Sequence, residues 1–576
     1  MARKLSGFQR VLDAPALFSV AYGEIASSLY FALGIVAAYA LGLTPLVLLG
    51  AGVFFLVVSL SYAEGTAALP ETGGAATFVR RAYNDVAGFL TGWALFLDYL
   101  IVIALSTLFL PHYLGAALGV ESLRRSHWDS LVAVSVIAAI AAIRLARRSR
   151  LHSGGIVVAV LDLATQLLLV ILGLALLFSP ELLTRGTSLG TTPSWSEIAF
   201  ALPLAMLAYT GLETVANLAA ETREPGRTLP RTLFSAIGLV VVITTLVAVV
   251  GLSAFPVENG QTALGREWLE APLAGIIEAL QPSLPGWLGD ALRVYVGLTG
   301  ALVLLAAATT SISGITRLAH SLGEHKQLPR SFGRLNRRTL VSPQAIVAAA
   351  AISIALVLAT GAMADQAIFL ASLYSFGVLL AFAAAQLAVL RLRMTEPNLP
   401  RPFRAPLAAP LIGAPLAVGF WVLSLVTHPG ARYAGPAWLA IGVAVYLLVR
   451  RRERSGLLHE DAVRELPAGA SYRRVLVPMK LGPIGEEMVA TAVALAKERG
   501  ASVDAVFVIK VSLEDAIDAP LHDATLFRHD GRFYITAGMQ TLRSASYDAL
   551  GIHSAPSLFG PWTPNPGNPL RLRWSR

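Results

Sequence analysis

The chain has no cysteine among its 576 residues. That excludes disulfides, thiolate metal sites and cysteine nucleophiles, and it leaves the redox compartment unreadable. Charge is scarce as well: Asp, Glu, Lys and Arg make up 14% of the sequence, against roughly 25% in soluble domains. With 55% hydrophobic residues and a mean hydropathy of +0.64, the chain cannot cover itself with polar groups, so lipid is part of its solvent. A nucleophile–base pair, a metal site and a cofactor motif are all missing, which argues against an enzyme and implies no cofactor. Met1 to Arg10 carries no cleavable signal pattern, because the first apolar run is too long for one.

Long apolar runs are what the sequence has in quantity. They fall near 16–41, 45–68, 87–119, 130–146, 154–178, 196–220, 232–254, 288–320, 343–360, 366–392, 407–427 and 434–450. A helix needs about 20 residues to cross the hydrocarbon, so the sequence predicts an all-α polytopic membrane protein with 12 transmembrane helices. The net charge of +9 sits in the short gaps between the runs, a pattern set by membrane insertion and not by nucleic acid. With the N-terminus inside, about 26 Lys and Arg fall inside, among them Arg3, Lys4, Arg10, Arg80, Arg317 and Arg393. About 5 fall outside: Arg124, Arg125, Arg185, Arg266 and Arg432. This asymmetry predicts both termini cytoplasmic, in a plasma (inner) membrane. The outside segment 255–287 predicts a short surface helix over the external mouth.

Two spans carry polar, helix-weakening clusters: Tyr22-Gly23-Glu24-Ile25-Ala26-Ser27-Ser28 in the first and Tyr209-Thr210-Gly211-Leu212-Glu213 in the sixth. Each alone is equally well read as small residues serving close packing. As a pair five helices apart, they point to an inverted-repeat transporter with its site at the midplane. Four acids fall within spans, Glu24, Asp98, Asp162 and Glu213, and each costs about 2.5–3.5 kcal/mol at a helix centre. Glu213 follows the sixth-span cluster and reads as a site or gate residue. Asp98, before Tyr99, lines the same cavity in this reading. Asp162 is a candidate proton carrier or an interhelical hydrogen-bond partner, and Glu24 is balanced between a site role and simple pairing. Thr310 and Ser311 in the eighth span offer hydroxyls to a sodium ion facing the first, or bond their own backbone. Tyr209 is the aromatic expected to touch substrate, and His112, near the outer face, reads as interfacial packing.

Several stretches in order are similar to one known group. They are Tyr62-Ala63-Glu64 with Pro70-Glu71-Thr72-Gly73-Gly74, and Glu221-Thr222-Arg223-Glu224-Pro225-Gly226-Arg227-Thr228-Leu229-Pro230-Arg231. Arg317, Leu328-Pro329 and Pro343 follow, and then Pro400-Arg401-Pro402-Phe403-Arg404-Ala405-Pro406. Across nearly all of residues 12–452 the chain resembles the amino acid–polyamine–organocation permease superfamily. The resemblance implies a leucine-transporter-like fold, a five-plus-five inverted repeat and two further helices. It also implies uptake of a small solute, usually an amino acid, driven by a proton or sodium gradient.

Two departures stand out. Ala26-Ser27-Ser28-Leu29 replaces the family's Gly-Ser-Gly type stretch in helix one, and Asp162 falls where some proton-coupled members carry a lysine. Potassium importers of the same superfamily are resembled too, through Ser19-Val20-Ala21-Tyr22, Leu97-Asp98-Tyr99 and Thr210-Gly211-Leu212-Glu213. The aspartate they carry seven residues before the tyrosine is Pro15 here. The expected substrate residues are Tyr22, Gly23, Ala26, Ser27, Ser28, Tyr209, Thr210, Gly211 and Glu213. The expected ion-coupling residues are Asp98, Tyr99, Asp162, Thr310 and Ser311. The leading expectation is a secondary transporter for an amino acid; the others are a monovalent-cation importer and a membrane solute sensor. The oligomeric state is not legible.

Beyond a membrane domain over residues 1–455 and a linker over 456–471 the composition changes. Residues 473–479 and 503–511 read as strands flanking an amphipathic helix over 485–500. Residues 472–521 resemble the opening of a universal stress protein domain, through Val475-Leu476-Val477-Pro478 and Leu495-Ala496-Lys497-Glu498-Arg499-Gly500. This is a small, incomplete α/β segment. Residues 522–576, rich in Arg, Pro, Gly and Trp, read as irregular chain, foreign in composition as a frameshift would leave it.

Overall fold

The computed structural model describes residues 14–124, 128–146, 151–222, 225–333, 342–363 and 365–452. In the C-terminal part it describes strands over 474–479, 502–507, 522–529, 532–539, 549–555, 563–564 and 570–571. Arg3, Lys4, Arg10, the linker 456–471 and the helix expected over 485–500 lie outside the described residues. The chain divides into two compact units, Met1–Glu460 and Asp461–Arg576.

In hydrocarbon every backbone amide needs a partner within the chain, which a helix supplies locally. The first unit is accordingly built of helices. The elements α1 (Ala14–Ser27), α2 (Leu29–Ala40) and α3 (Thr44–Ala68) form one apolar stretch of 55 residues. Straight, it would be about 80 Å long, against ~30 Å of hydrocarbon. Leu41–Leu43 turn it back, so it crosses twice. A short α4 (Ala75–Ala82) precedes α5 (Asp85–Leu118), α6 (Asp129–Ala146) and α7 (Leu151–Leu176). After the single turn α8 (Pro180–Thr184), the sixth span consists of α9 (Trp195–Leu204), a tighter turn over Ala205–Tyr209, and α10 (Leu212–Asn217). Then come α11 (Pro225–Ala254), the short α12 (Pro272–Leu280), α13 (Gly286–Glu324), α14 (Pro343–Thr360), α15 (Gln366–Thr395), α16 (Ala408–Thr427) and α17 (Gly435–Arg452). The 11 long apolar segments among the described residues, one of them doubled, make the twelve crossings expected.

One expectation needs correcting. α12 is not a surface helix: Leu273, Ile276, Ile277 and Leu280 have no exposed area. Its apolar residues cover more than one face, and it packs against α7, α11 and α13. Leu46, Val53, Leu131, Ile143 and Ile171 are exposed instead, as suits side chains that meet lipid.

At the centre, α5 and α13 pack along their length. A Cβ on Gly314 would stand 2.4 Å from Tyr99 Cε1, so only glycine lets the helices approach this closely. Trp93 of α5 and Trp438 of α17 stack at 4.7 Å, and each indole N–H donates to the other's carbonyl, at 2.8 and 2.9 Å. Ion pairs fasten one end of the bundle. Arg393 donates to Glu64, which also accepts the Ala405 N–H at 2.9 Å and faces Arg401 at 3.4 Å. Two stretches quoted for the family resemblance, the one ending at Glu64 and the one from Pro400 to Pro406, therefore meet in space. Arg450 pairs with Asp85, and Arg317 donates to Glu221 at 2.7 Å.

In the second unit β1 (Arg474–Met479) pairs in parallel with β2 (Ser502–Phe507), in register from Arg474↔Ser502 to Met479↔Phe507. Parallel neighbours require a crossover connection. Where irregular chain was expected, β3 (His522–His529), β4 (Arg532–Met539) and β5 (Ala549–Ala555) form an antiparallel meander, with β6 (Thr563–Pro564) and β7 (Leu570–Arg571) on β5. His529 pairs with Arg532, so only Asp530-Gly531 separates the strands. Asp-Gly is a strong two-residue hairpin signal, which the bulk composition conceals.

Candidate functional site

The backbone opens most in the sixth span. Thr210 is extended at ψ 157°, and Gly211 takes φ +109°. Glycine alone adopts that conformation freely, and a Cβ here would come within 2.6 Å of Glu24 Cγ. The restarted helix does not leave its first amide open, because Gly211 N–H donates to Glu213 Oε1 at 2.9 Å.

The first span opens less than its sequence suggests. Tyr22 to Ser27 remain helical, and the interruption is confined to Ser28. No glycine stands at Ala26-Ser27-Ser28 to release the backbone, and the Ser27 hydroxyl donates back to the Glu24 carbonyl at 2.8 Å. The Ser28 and Thr210 hydroxyls are hydrogen-bonded to each other. The two interruptions thus meet, through side chains and not through facing amides.

Beside this contact lies Glu24, buried among three helices. Its carboxylate accepts the hydroxyl of Thr310, that of Thr214 at 3.3 Å and that of Ser311 at 3.4 Å. Asp162 is held by Gln166, whose Nε2 lies 2.9 and 3.0 Å from its two oxygens and 3.4 Å from the Ala26 carbonyl. The Tyr22 and Tyr30 hydroxyls also approach Asp162. Asp98 and Glu213 face each other, with Tyr374 beside Asp98. Neither Asp98 oxygen has a hydrogen-bond partner among the described residues. The Tyr99 hydroxyl accepts from Asn217 Nδ2 at 2.8 Å and lies 3.4 Å from the Thr214 hydroxyl.

A cavity of about 340 Å³ lies between α1, α7, α10 and α13, with Gly23, Glu24, Asp162 and Thr310 in its wall. Arg317 and Glu221 line it as well, and Arg317 is about 10 Å along α13 from Thr310. Glu24 with Thr214, Thr310 and Ser311 makes an all-oxygen set suited to a hard cation. The same carboxylate can also hold a proton.

Residues 12–448 match the amino acid permease family. The chain belongs to the amino acid permeases. This permease is 25% identical over 436 residues to the low-affinity putrescine importer PlaP of Escherichia coli, covering 73% of this chain and 88% of that protein. It is 27% identical to the branched-chain amino acid permease BcaP of Lactococcus lactis, over 69% of this chain and 84% of the relative. Its identity to the methylthioribose transporter of Bacillus subtilis is 23%, over 70% and 84%. It is thus a membrane transporter of small organic solutes and not an enzyme.

The permease brings together most of the residues its sequence singles out: Gly23, Ala26, Ser28, Thr210, Gly211, Asp162, Thr310 and Ser311 surround Glu24 or the cavity beside it. Tyr209 is turned elsewhere, donating its hydroxyl to the Leu48 carbonyl at 2.7 Å and stacking on Phe55. Asp98, Tyr99 and Glu213 form a neighbouring group. Glu24, balanced in the sequence between a site role and simple pairing, collects three hydroxyls, and Thr214, Gln166, Tyr30 and Asn217 were not singled out. Gln166 had a signal, since it stands four residues after Asp162 on the same helix face.

Proposed function

We propose that this permease imports an amine-bearing small organic solute, an amino acid in the first place, together with a proton or a sodium ion. The observation that carries this reading is the Glu24 carboxylate, collecting hydroxyls from α10 and α13 in the wall of a cavity that also holds Asp162. Two carboxylates in one low-dielectric cavity attract a positive group. Arg317, the basic residue that lines it, is paired with Glu221. The start of α10, where a solute carboxylate would gain most, already holds Glu213, so recognition rests on the amine. Putrescine and branched-chain amino acids, named for two of the relatives, both carry one.

The basic residues support an orientation with both termini cytoplasmic in a plasma (inner) membrane. The cavity then faces inward, with the Arg317–Glu221 pair at its mouth. Reconstituted vesicles with an imposed proton or sodium gradient test the proposal, using labelled amino acids, diamines and rubidium. Gradient-driven accumulation of an amine-bearing solute is expected. Rubidium uptake alone would favour a monovalent-cation importer, and solute binding without any uptake would favour a sensor.

A further inference from the structure

A second polar cluster lies away from this site. His112 is 14 residues beyond Asp98 on α5, about 21 Å along the helix, at the end remote from the Asp85–Arg450 pair. Asp129 is the first residue of α6, and Glu270 precedes α12. His112 Nε2, Asp129 Oδ1 and Glu270 Oε2 lie within 4.8 Å of one another. The nitrogen is 3.0 Å from the Asp129 oxygen and 3.1 Å from the Glu270 oxygen. The His112 and Asp129 side chains are 5% and 7% exposed.

These distances fit an ion pair, but the hydrogen-bond geometry between the ring nitrogen and Asp129 fails. Asp129 Oδ1 is buried and receives no hydrogen bond among the described residues, although the ring nitrogen stands 3.0 Å away. A donor nitrogen aligns its N–H on one acceptor. Here two oxygens flank it almost equally. With ligand bonds of about 2.1 Å, two ligand atoms 3.0 Å apart subtend about 90° at a shared ion. At that angle each oxygen lies off the nitrogen's axis, as the Asp129 oxygen does. Two carboxylates beside one imidazole also concentrate negative charge in a largely buried place, which a divalent ion neutralises. One imidazole nitrogen and two carboxylate oxygens are ligands that zinc accepts, leaving a position for water on the more exposed side, at Glu270.

We infer that His112, Asp129 and Glu270 form a site for a divalent, zinc-class metal ion that fastens the chain before α12 to α5 and α6. A filled site ties three elements that are distant in sequence, so metal binding adds directly to the stability of the fold.

Purified full-length protein, freed of any purification tag, is titrated with zinc chloride and separately with magnesium chloride. Calorimetry and the thermal unfolding midpoint are the readouts. Zinc is expected to bind and raise the midpoint, and magnesium to do neither. His112→Ala and Glu270→Gln should each weaken zinc binding tenfold or more. Glu270 is 40% exposed, so Glu270→Gln keeps the test decisive even if His112→Ala fails to fold. No zinc binding to the unaltered protein, or unchanged affinity in Glu270→Gln, would overturn the inference.

Discussion

Glu24 on α1 accepts the hydroxyl of Thr310 on α13, 286 positions further along the chain. Thr310 also lies 3.0 Å from the carbonyls of Ala306 and Ala307 in its own helix. One hydroxyl proton cannot serve all three acceptors. Under the proposed coupling role, the hydroxyl turns to Glu24 when that carboxylate is charged and back to its own helix when a cation or proton arrives. Thr310→Val, which removes the hydroxyl and keeps the shape, is expected to lower the initial uptake rate tenfold or more in reconstituted vesicles. Thr310→Ser should retain most of it. Equal losses in the two variants would assign Thr310 to packing alone.

Gly211→Ala meets two obstacles, the backbone at φ +109° and Glu24 Cγ at 2.6 Å from the new Cβ. Strain of this kind is worth about 1–3 kcal/mol, and the clash adds to it. A lower unfolding midpoint in detergent is expected, together with loss of uptake. An unchanged midpoint would contradict the backbone geometry assigned to the sixth span.

The first-span break shows why the site was only partly legible in the sequence. Gly211 was legible only through the pairing of its cluster with the first-span one, since alone it read equally well as close packing. Ser27-Ser28 carries no glycine, and whether serines open a helix or bond back to it depends on what faces them. Glu24 stayed balanced between two readings because its three hydroxyl partners come from α10 and α13, and no local spacing reveals them. Tyr209 misled for a related reason: an aromatic beside a break can face the cavity or, as here, the Leu48 carbonyl of α3. The spans were easier to read, since about 20 apolar residues admit few alternatives to a crossing helix. His112 read as packing because Asp129 and Glu270 reach it from two other elements.

Glu213→Gln separates folding from function. The amide oxygen of glutamine can still accept the Gly211 N–H, which Glu213 now accepts at 2.9 Å. What disappears is the carboxylate that faces Asp98. Normal expression and a near-normal midpoint are expected, with uptake abolished. Transport at the unaltered rate would remove Glu213 from the site.

The Glu64–Arg393 pair is buried, with side chains 2% and 8% exposed. Removing one partner of a buried pair costs about 3–5 kcal/mol, whereas replacing both with apolar residues is often neutral. Glu64→Gln should lower the thermal midpoint clearly, and Glu64→Leu combined with Arg393→Met should recover part of the loss. A single variant as stable as the unaltered protein would show that the pair is dispensable.

Glu24→Gln in reconstituted vesicles tests the central claim most directly. Two modes are compared: accumulation of labelled solute against an imposed proton or sodium gradient, and solute exchange with no gradient. If Glu24 holds the coupling ion, the variant loses gradient-driven accumulation and retains exchange. Accumulation at the unaltered level would contradict the account.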